Sequence, residues 1–217
     1  GLPPGEARER SLGFLQSVRA YSNLVLERGE GRFGFIHLSF EEALAARGIV
    51  KAGQMHLKKS LGIIRSHLTD PAWRETILLA VGVWGLVREE AERAGAVVSA
   101  MLDMNCKGEQ IGQNVLMAGA CLEDVGAAGL TWQVAQEIQR ALLAACRNRN
   151  FPPNVQRDAG FLLSRTGWLP PDLDEFVRIP AGAFLYGDKK ESRVIEKDFE
   201  IARYPVTNQQ YKRFIDA

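Results

Sequence analysis

Three histidines and three cysteines are the side chains of this 217-residue chain with the widest scope for metal or redox chemistry. His56 and His67 stand eleven positions apart, with no cysteine or third histidine at ligand spacing. A zinc site needs about four such ligands, so the spacing predicts no metal site. Cys106, Cys121 and Cys146 are odd in number, form no C-x-x-C pair and lie in apolar helical patterns. Cysteines so placed behave as small hydrophobes, which predicts buried free thiols, a reducing compartment and hence the cytoplasm. His37 stands alone after Phe33-Gly-Phe-Ile36, and from the residues themselves it reads as a packed or hydrogen-bonded structural histidine.

The carboxylates give no acid/base pair. Glu41-Glu42, Arg88-Glu89-Glu90 and Glu92-Arg93 fall on helical patterns and read as solvated faces with local pairing. The chain contains no G-x-x-x-x-G-K-[ST] and so cannot hold a nucleotide through that loop. Lys58-Lys59, Arg65 and His67 form a mild basic stretch, as do Arg147 and Arg149. Neither makes the broad stripe with interleaved aromatics that nucleic acid requires. With 27 Lys+Arg against 26 Asp+Glu, no global field draws the chain to polyanions. Trp73, Trp84, Trp132 and Trp168 read as core or inter-helix packing. Gly182 and Gly187 read as turn glycines. No run approaches the ~20 apolar residues of a membrane span, and no basic-then-apolar leader opens the chain.

The elements that position these residues change character twice along the chain. Leu12, Leu15 and Val18 recur at helical spacing between Glu6 and Tyr21. From Asn23 to His37, two short apolar runs flank Gly29-Glu30-Gly31, which predicts a β-hairpin whose glycines supply positive φ. Ser39 is the expected N-cap of the next helix, with Glu42 completing a capping box and Gly48 ending it. Helices are then expected over 52–68, 72–87, 89–103, 109–126, 131–148 and 153–166. Asp70 with Pro71, and Thr131, mark two of their starts. Short connections make consecutive helices antiparallel neighbours, in a solenoid-like pile of pairs.

Gly167-Trp-Leu-Pro-Pro171 ends the helical region. Beyond it, Phe176 to Asp188 predicts two strands around Pro180-Ala-Gly182, and 188–192 a charged loop. Arg193–Arg203 predicts one more strand with Val194, Phe199 and Ile201 inward. Thr207 caps a last helix with Gln210 three residues on. The chain opens on Gly1 and stops at Ile215-Asp216-Ala217 inside an amphipathic segment, so it reads as a piece of a longer polypeptide.

The phrases Phe176-Val-Arg-Ile-Pro-Ala-Gly-Ala-Phe-Leu-Tyr-Gly187, Asp198-Phe-Glu-Ile-Ala-Arg-Tyr-Pro-Val-Thr-Asn208 and Tyr211-Lys-Arg-Phe214 resemble, in order, the start of the formylglycine-generating enzyme or sulfatase-modifying-factor family. The resemblance implies a C-type-lectin-like fold. Its catalytic members use paired cysteines with copper to oxidise a sulfatase cysteine, and those cysteines have no counterpart in Cys106, Cys121 or Cys146. The same fold also serves as a binding module, including in proteins diversified by retroelements. A second resemblance covers Leu24-Val-Leu-Glu-Arg28, Phe33-Gly-Phe-Ile-His37-Leu-Ser-Phe-Glu41 through Ala46, and Trp73 to Gly82. These look like the winged-helix end and following helices of NACHT-type (STAND) signalling NTPases, and Arg157-Asp-Ala-Gly-Phe-Leu-Leu163 looks like a HEAT-type helix. It implies that His37 lies near a nucleotide site formed upstream, where it would report phosphate state.

The fold class that follows is mainly α: a winged-helix-like hairpin end over 1–50, a HEAT-like helical array over 51–168, and a Pro-rich linker over 169–175. Over 176–217 come the first strands of a truncated C-type-lectin-like α+β domain. The expected function is a non-catalytic sensor or scaffold segment of a STAND-type signalling protein. Its partners are neighbouring domains of the same polypeptide and a protein or other ligand at the C-terminal domain, with nucleic acid disfavoured and no membrane. No cofactor is expected within these residues; ATP belongs upstream, and copper only to a complete C-terminal oxidase. The alternative is an accessory and N-terminal portion of such an oxidase, or of a retroelement-diversified binder.

Overall fold

The computed structural model describes residues 3–22, 24–29 and 32–217, and divides the chain into two compact units, 1–167 and 168–217. The first unit is helical apart from one hairpin. Helix α1 (Pro4–Ser22) packs on β1 (Val25–Gly29), which pairs antiparallel with β2 (Arg32–Phe35). Gly29 takes φ +151°, as the expected turn requires, while Asn23, Glu30 and Gly31 lie outside the described residues. The next helix, α2 (Leu38–Ala52), corrects two expectations. Its N-cap is His37 rather than Ser39, and it runs through Gly48, because Ile49 and Val50 bury their side chains in the final turn. Burial of two branched side chains, worth about 1.5–3 kcal/mol each, outweighs the ~1 kcal/mol that glycine costs a helix.

Helix α3 (Leu57–His67) starts later than expected, after a turn at 53–56. Asp70 accepts the Ala72 N–H at 3.0 Å and Pro71 opens a short 3-10 turn, so the expected cap is present. Helix α4 (Arg74–Gly82) then widens into a π-helical turn over Val83–Val87. Helices α5 (Ala91–Leu102), α6 (Gln113–Gly129), α7 (Trp132–Arg147) and α8 (Pro153–Arg165) complete the unit. Thr131 occupies the N-cap of α7 but makes no side-chain cap bond. Alternate helices touch as well as neighbours: α2 meets α4, α4 meets α6, α6 meets α8, and α5 meets both α3 and α7. That pattern is a two-layered array. Its core is Ile64, Ile77, Val81, Trp84, Val97, Met101, Ile138 and Leu142, all fully buried. Trp132 departs from its expected core role and is 69% exposed at the start of α7, whereas Trp73 stacks on His67 with ring centroids 3.8 Å apart.

All three cysteines are free thiols, but only Cys121 is buried; Cys106 and Cys146 are half-buried. Burial pushes the Cys121 thiol up to about 12. Alkylation at neutral pH with the protein folded is therefore expected to spare Cys121 and to reach it only on denaturation, which peptide mass mapping checks.

The second unit is built on two antiparallel pairs, β3 (Phe176–Ile179) with β6 (Phe199–Ala202), and β4 (Gly182–Tyr186) with β5 (Glu191–Ile195). The expected strand 193–203 is therefore two strands. The break falls where Asp198 turns from the ladder to accept the Ala181 N–H at 2.8 Å and pair with Arg178. Val194, Phe199 and Ile201 are exposed rather than inward, at 68%, 43% and 53%. Helix α9 (Asn208–Ile215) has the full capping box expected of Thr207 and Gln210. Residues 172–175 are tied into this unit. Asp172 accepts from the Tyr204 hydroxyl, Asp174 pairs with Arg213, and Glu175 pairs with Arg203.

Candidate functional site: an apolar groove with an arginine rim

Helix α2 carries both the histidine singled out by sequence and a groove that sequence did not suggest. His37 closes the N-terminus of α2: its Nδ1 accepts the Ser39 N–H at 3.2 Å and lies 2.8 Å from Ser39 Oγ. An acceptor there satisfies one of the four N–H groups that a helix start leaves unpaired. His37→Ala is expected to destabilise the helical unit by about 1 kcal/mol, with His37→Asn retaining most of the cap; urea unfolding followed by circular dichroism measures both.

Ten residues further along the same helix, about 15 Å at 1.5 Å per residue, α2 forms one wall of the groove. Ala43, Ala46 and Val50 from α2 face Leu79 and Val83, with Val87 from the π turn, around a cavity of about 350 Å³. The rim carries Arg47 from α2 and Arg88 just beyond the π turn. Val83 and Val87 stand four positions apart at the two ends of the π turn, so they share a face and border the same space. Val87 is 75% exposed, and Leu44 and Leu86 add apolar surface nearby in the sequence of each wall. Arg88 pairs loosely with Glu90 at 3.7 Å, and Glu90 also pairs with Arg93 at 3.3 Å. Arg47 has no acceptor or ion-pair partner among the described residues. The groove thus offers an apolar floor with one unneutralised guanidinium and one shared.

The remaining sequence candidates do not converge here. His56 is the N-cap residue of α3, without a side-chain cap bond, and His67 is stacked on Trp73. Among the described residues, no group of three or more His, Cys, Asp or Glu side chains comes together as a metal site, and no helix is long and apolar enough to cross a membrane. Cys106 borders a separate cavity of about 440 Å³ with Arg65, Asp103 and Gln110. Arg74, Glu123, Asp158 and Arg165 border another of about 380 Å³, in which Arg165 and Glu123 pair at 3.2 Å. Sequence reasoning missed Arg47, an ordinary surface arginine of α2, and read Arg88 as part of a solvated charge cluster; only the packing of α2 on α4 brings them to one rim.

In the second unit, two aspartates act as local clamps. Side-chain bonds from Arg213, then Gln210, hold the Asp174 carboxyl below the usual carboxylate range, and the Ala181 N–H, then Arg178, does the same for Asp198. A carboxyl whose folded value is lowered stabilises the fold above its ordinary value of 3.8, and that contribution is lost as pH falls through the lowered value. Hydrogen exchange at the Ala181 amide is accordingly expected to accelerate as pH falls below about 4, once the intrinsic pH dependence of exchange is subtracted. Asp198→Asn should bring the faster exchange to neutral pH. An unchanged Ala181 amide in that variant would show that the clamp does not hold the turn.

Residues 169–217 match the family model of the sulfatase-modifying factor enzyme 1-like domain. No curated protein and no solved structure matches the chain. The C-terminal resemblance therefore stands on the family as well as on its phrases, and it covers the second unit from one residue past its start.

Proposed function

We infer that this chain is a sensor and scaffold segment of a multidomain STAND-type NTPase signalling protein, coupling a switch module to a lectin-like recognition domain. The observation that carries the reading is the order of parts: a hairpin leading into a histidine-capped helix, a two-layered helical array, then a unit that matches the sulfatase-modifying factor family. The hairpin and α2 support a winged-helix-like end. Contacts between alternate helices support a HEAT-like array, the arrangement in which each layer stacks on itself. In the second unit Phe176, Leu185, Val194, Phe214 and Ile215 are all more than 60% exposed. So much apolar surface on short strands and one short helix supports a domain whose core is completed by further residues.

On this reading ATP binds upstream, the array transmits the switch, and the partners are neighbouring domains and a ligand of the complete recognition domain, inside the cytoplasm. The test is the whole polypeptide. It should carry a P-loop before residue 1 and hydrolyse ATP; a polypeptide without that loop sinks the reading. His37→Ala separates the sensor role from the cap. Nucleotide exchange altered beyond that of His37→Asn supports sensing, and equal exchange in the two variants leaves only the cap.

The name of the matching family favours a second reading, in which the complete C-terminal domain is an oxidase and the helices an accessory. Formylglycine formation on a sulfatase peptide by the whole protein with copper would decide for it. No formation, with a P-loop present, decides for the scaffold.

A further inference from the structure

We propose that the groove between α2 and the α4 π turn is a binding site for a small amphiphilic anion, of which a medium-chain monocarboxylate is the simplest member. The proposal does not depend on the signalling reading. Three observations carry it. The cavity, at about 350 Å³, lies at the lower end of the range for small-molecule sites and is lined almost wholly by aliphatic side chains. Its apolar walls remain open, with Leu79 at 38% and Val87 at 75% exposure, so an alkyl chain entering it would remove apolar surface from water on both partners. The charge at the rim is of one sign in excess: Arg47 is without a described partner, and Glu90, the acid nearest Arg88, is divided between Arg88 and Arg93. A carboxylate at the mouth would take charge-assisted bonds from two guanidiniums while its chain lies over Ala43, Val50 and Val83.

The same chemistry excludes other occupants. A cation would face Arg47 and Arg88 with no acid among the lining residues to receive it. A fully hydrated small anion such as acetate would leave the aliphatic floor uncovered and gain little over water. The π turn gives the site two of its lining residues, Val83 and Val87, which stand four positions apart and so share one face.

The experiment uses the full chain and octanoate, titrated below its micellar concentration and followed by methyl NMR. One saturable site is expected, with shifts at Ala43, Val50, Val83 and Val87. Octyltrimethylammonium and acetate should bind about tenfold more weakly or not at all. Reversing both rim charges, Arg47→Glu with Arg88→Glu, should weaken octanoate by about tenfold or more, the size of a lost charge-assisted bond. Ala43→Phe, at an exposed position on the wall, should block the cavity and abolish the shifts; it carries the test if the double charge reversal fails to fold. Equal affinity for octanoate and octyltrimethylammonium overturns the proposal. So does octanoate binding unchanged by either variant, or blocked by Ala43→Phe yet indifferent to the charge reversal in a folded protein. Shifts confined to the exposed strands of 176–217 overturn it as well, since they would report non-specific adsorption to the second unit.

Discussion

Gly85→Ala is expected to be the most damaging single-methyl change in the helical unit, lowering its stability by about 3 kcal/mol or more. A β-carbon built on Gly85 would lie 2.3 Å from the Gly129 carbonyl oxygen and 2.9 Å from both its carbonyl carbon and its Cα. All three neighbours are backbone atoms, so no side-chain rotation relieves the contact. The π turn and the last turn of α6 would have to separate there. Gly62→Ala in α3 is the matched control. A β-carbon there would meet nothing within 4 Å, and the residue sits inside an exposed helical turn, so alanine should stabilise by about 0.5–1 kcal/mol through lower unfolded-state entropy. Urea titration of both variants by circular dichroism reads the difference directly. A loss below about 1 kcal/mol for Gly85→Ala would mean that the glycine contact is not a tight one.

That contact also shows where sequence stops being informative. Local signals are legible wherever the deciding bonds are local. Asp70 with Pro71, and Thr207 with Gln210, specify their caps within three residues, and the structure contains both. Gly48 does not stop α2 because its effect is smaller than the burial of Ile49 and Val50, and that burial depends on α4. Ser39 is not the N-cap because Ser and His are both able to accept at a helix start, and the hairpin delivers His37 to the position first. The π turn reads as ordinary helix over 72–87, since nothing in its own residues announces that Gly85 meets Gly129, more than forty residues away. The strand expected over 193–203 is too long for a similar reason: Asp198 leaves the ladder to bind Ala181, a partner its own neighbours do not announce. Apolar alternation predicts Val194 and Ile201 as inward, yet alternation assigns residues to a face and cannot say whether that face is covered. The groove belongs to the same class. Its walls come from two helices and its charges from two surface arginines, none of which is unusual until packed together.

Trp84→Ala is the second large expected effect, about 3–5 kcal/mol, and the comparison with Trp84→Phe makes it diagnostic. Trp84 is fully buried, the bulkiest side chain so placed among the described residues, and its Nε1 has no hydrogen-bond acceptor among them. Truncation to alanine opens a cavity beside Gly53, where an added β-carbon would sit 3.3 Å from the indole Cζ2 and the backbone has little freedom to collapse inward. Phenylalanine removes less volume, and it also removes a buried N–H whose lack of a partner costs about 1–3 kcal/mol. Both variants remove that N–H, so the difference between them reports the cavity alone, and Trp84→Phe should retain at least about 2 kcal/mol more stability than Trp84→Ala. If phenylalanine proves as costly as alanine, the volume of the ring is not what this part of the core depends on. The readout extends to the groove, because Trp84 lies in the π turn between Val83 and Val87, which line it. Loss of the indole should let that turn shift over the cavity it leaves, and octanoate binding should fall in Trp84→Ala while persisting in Trp84→Phe. Stability and binding moving together in this way would tie the shape of the site to the core residue beneath it.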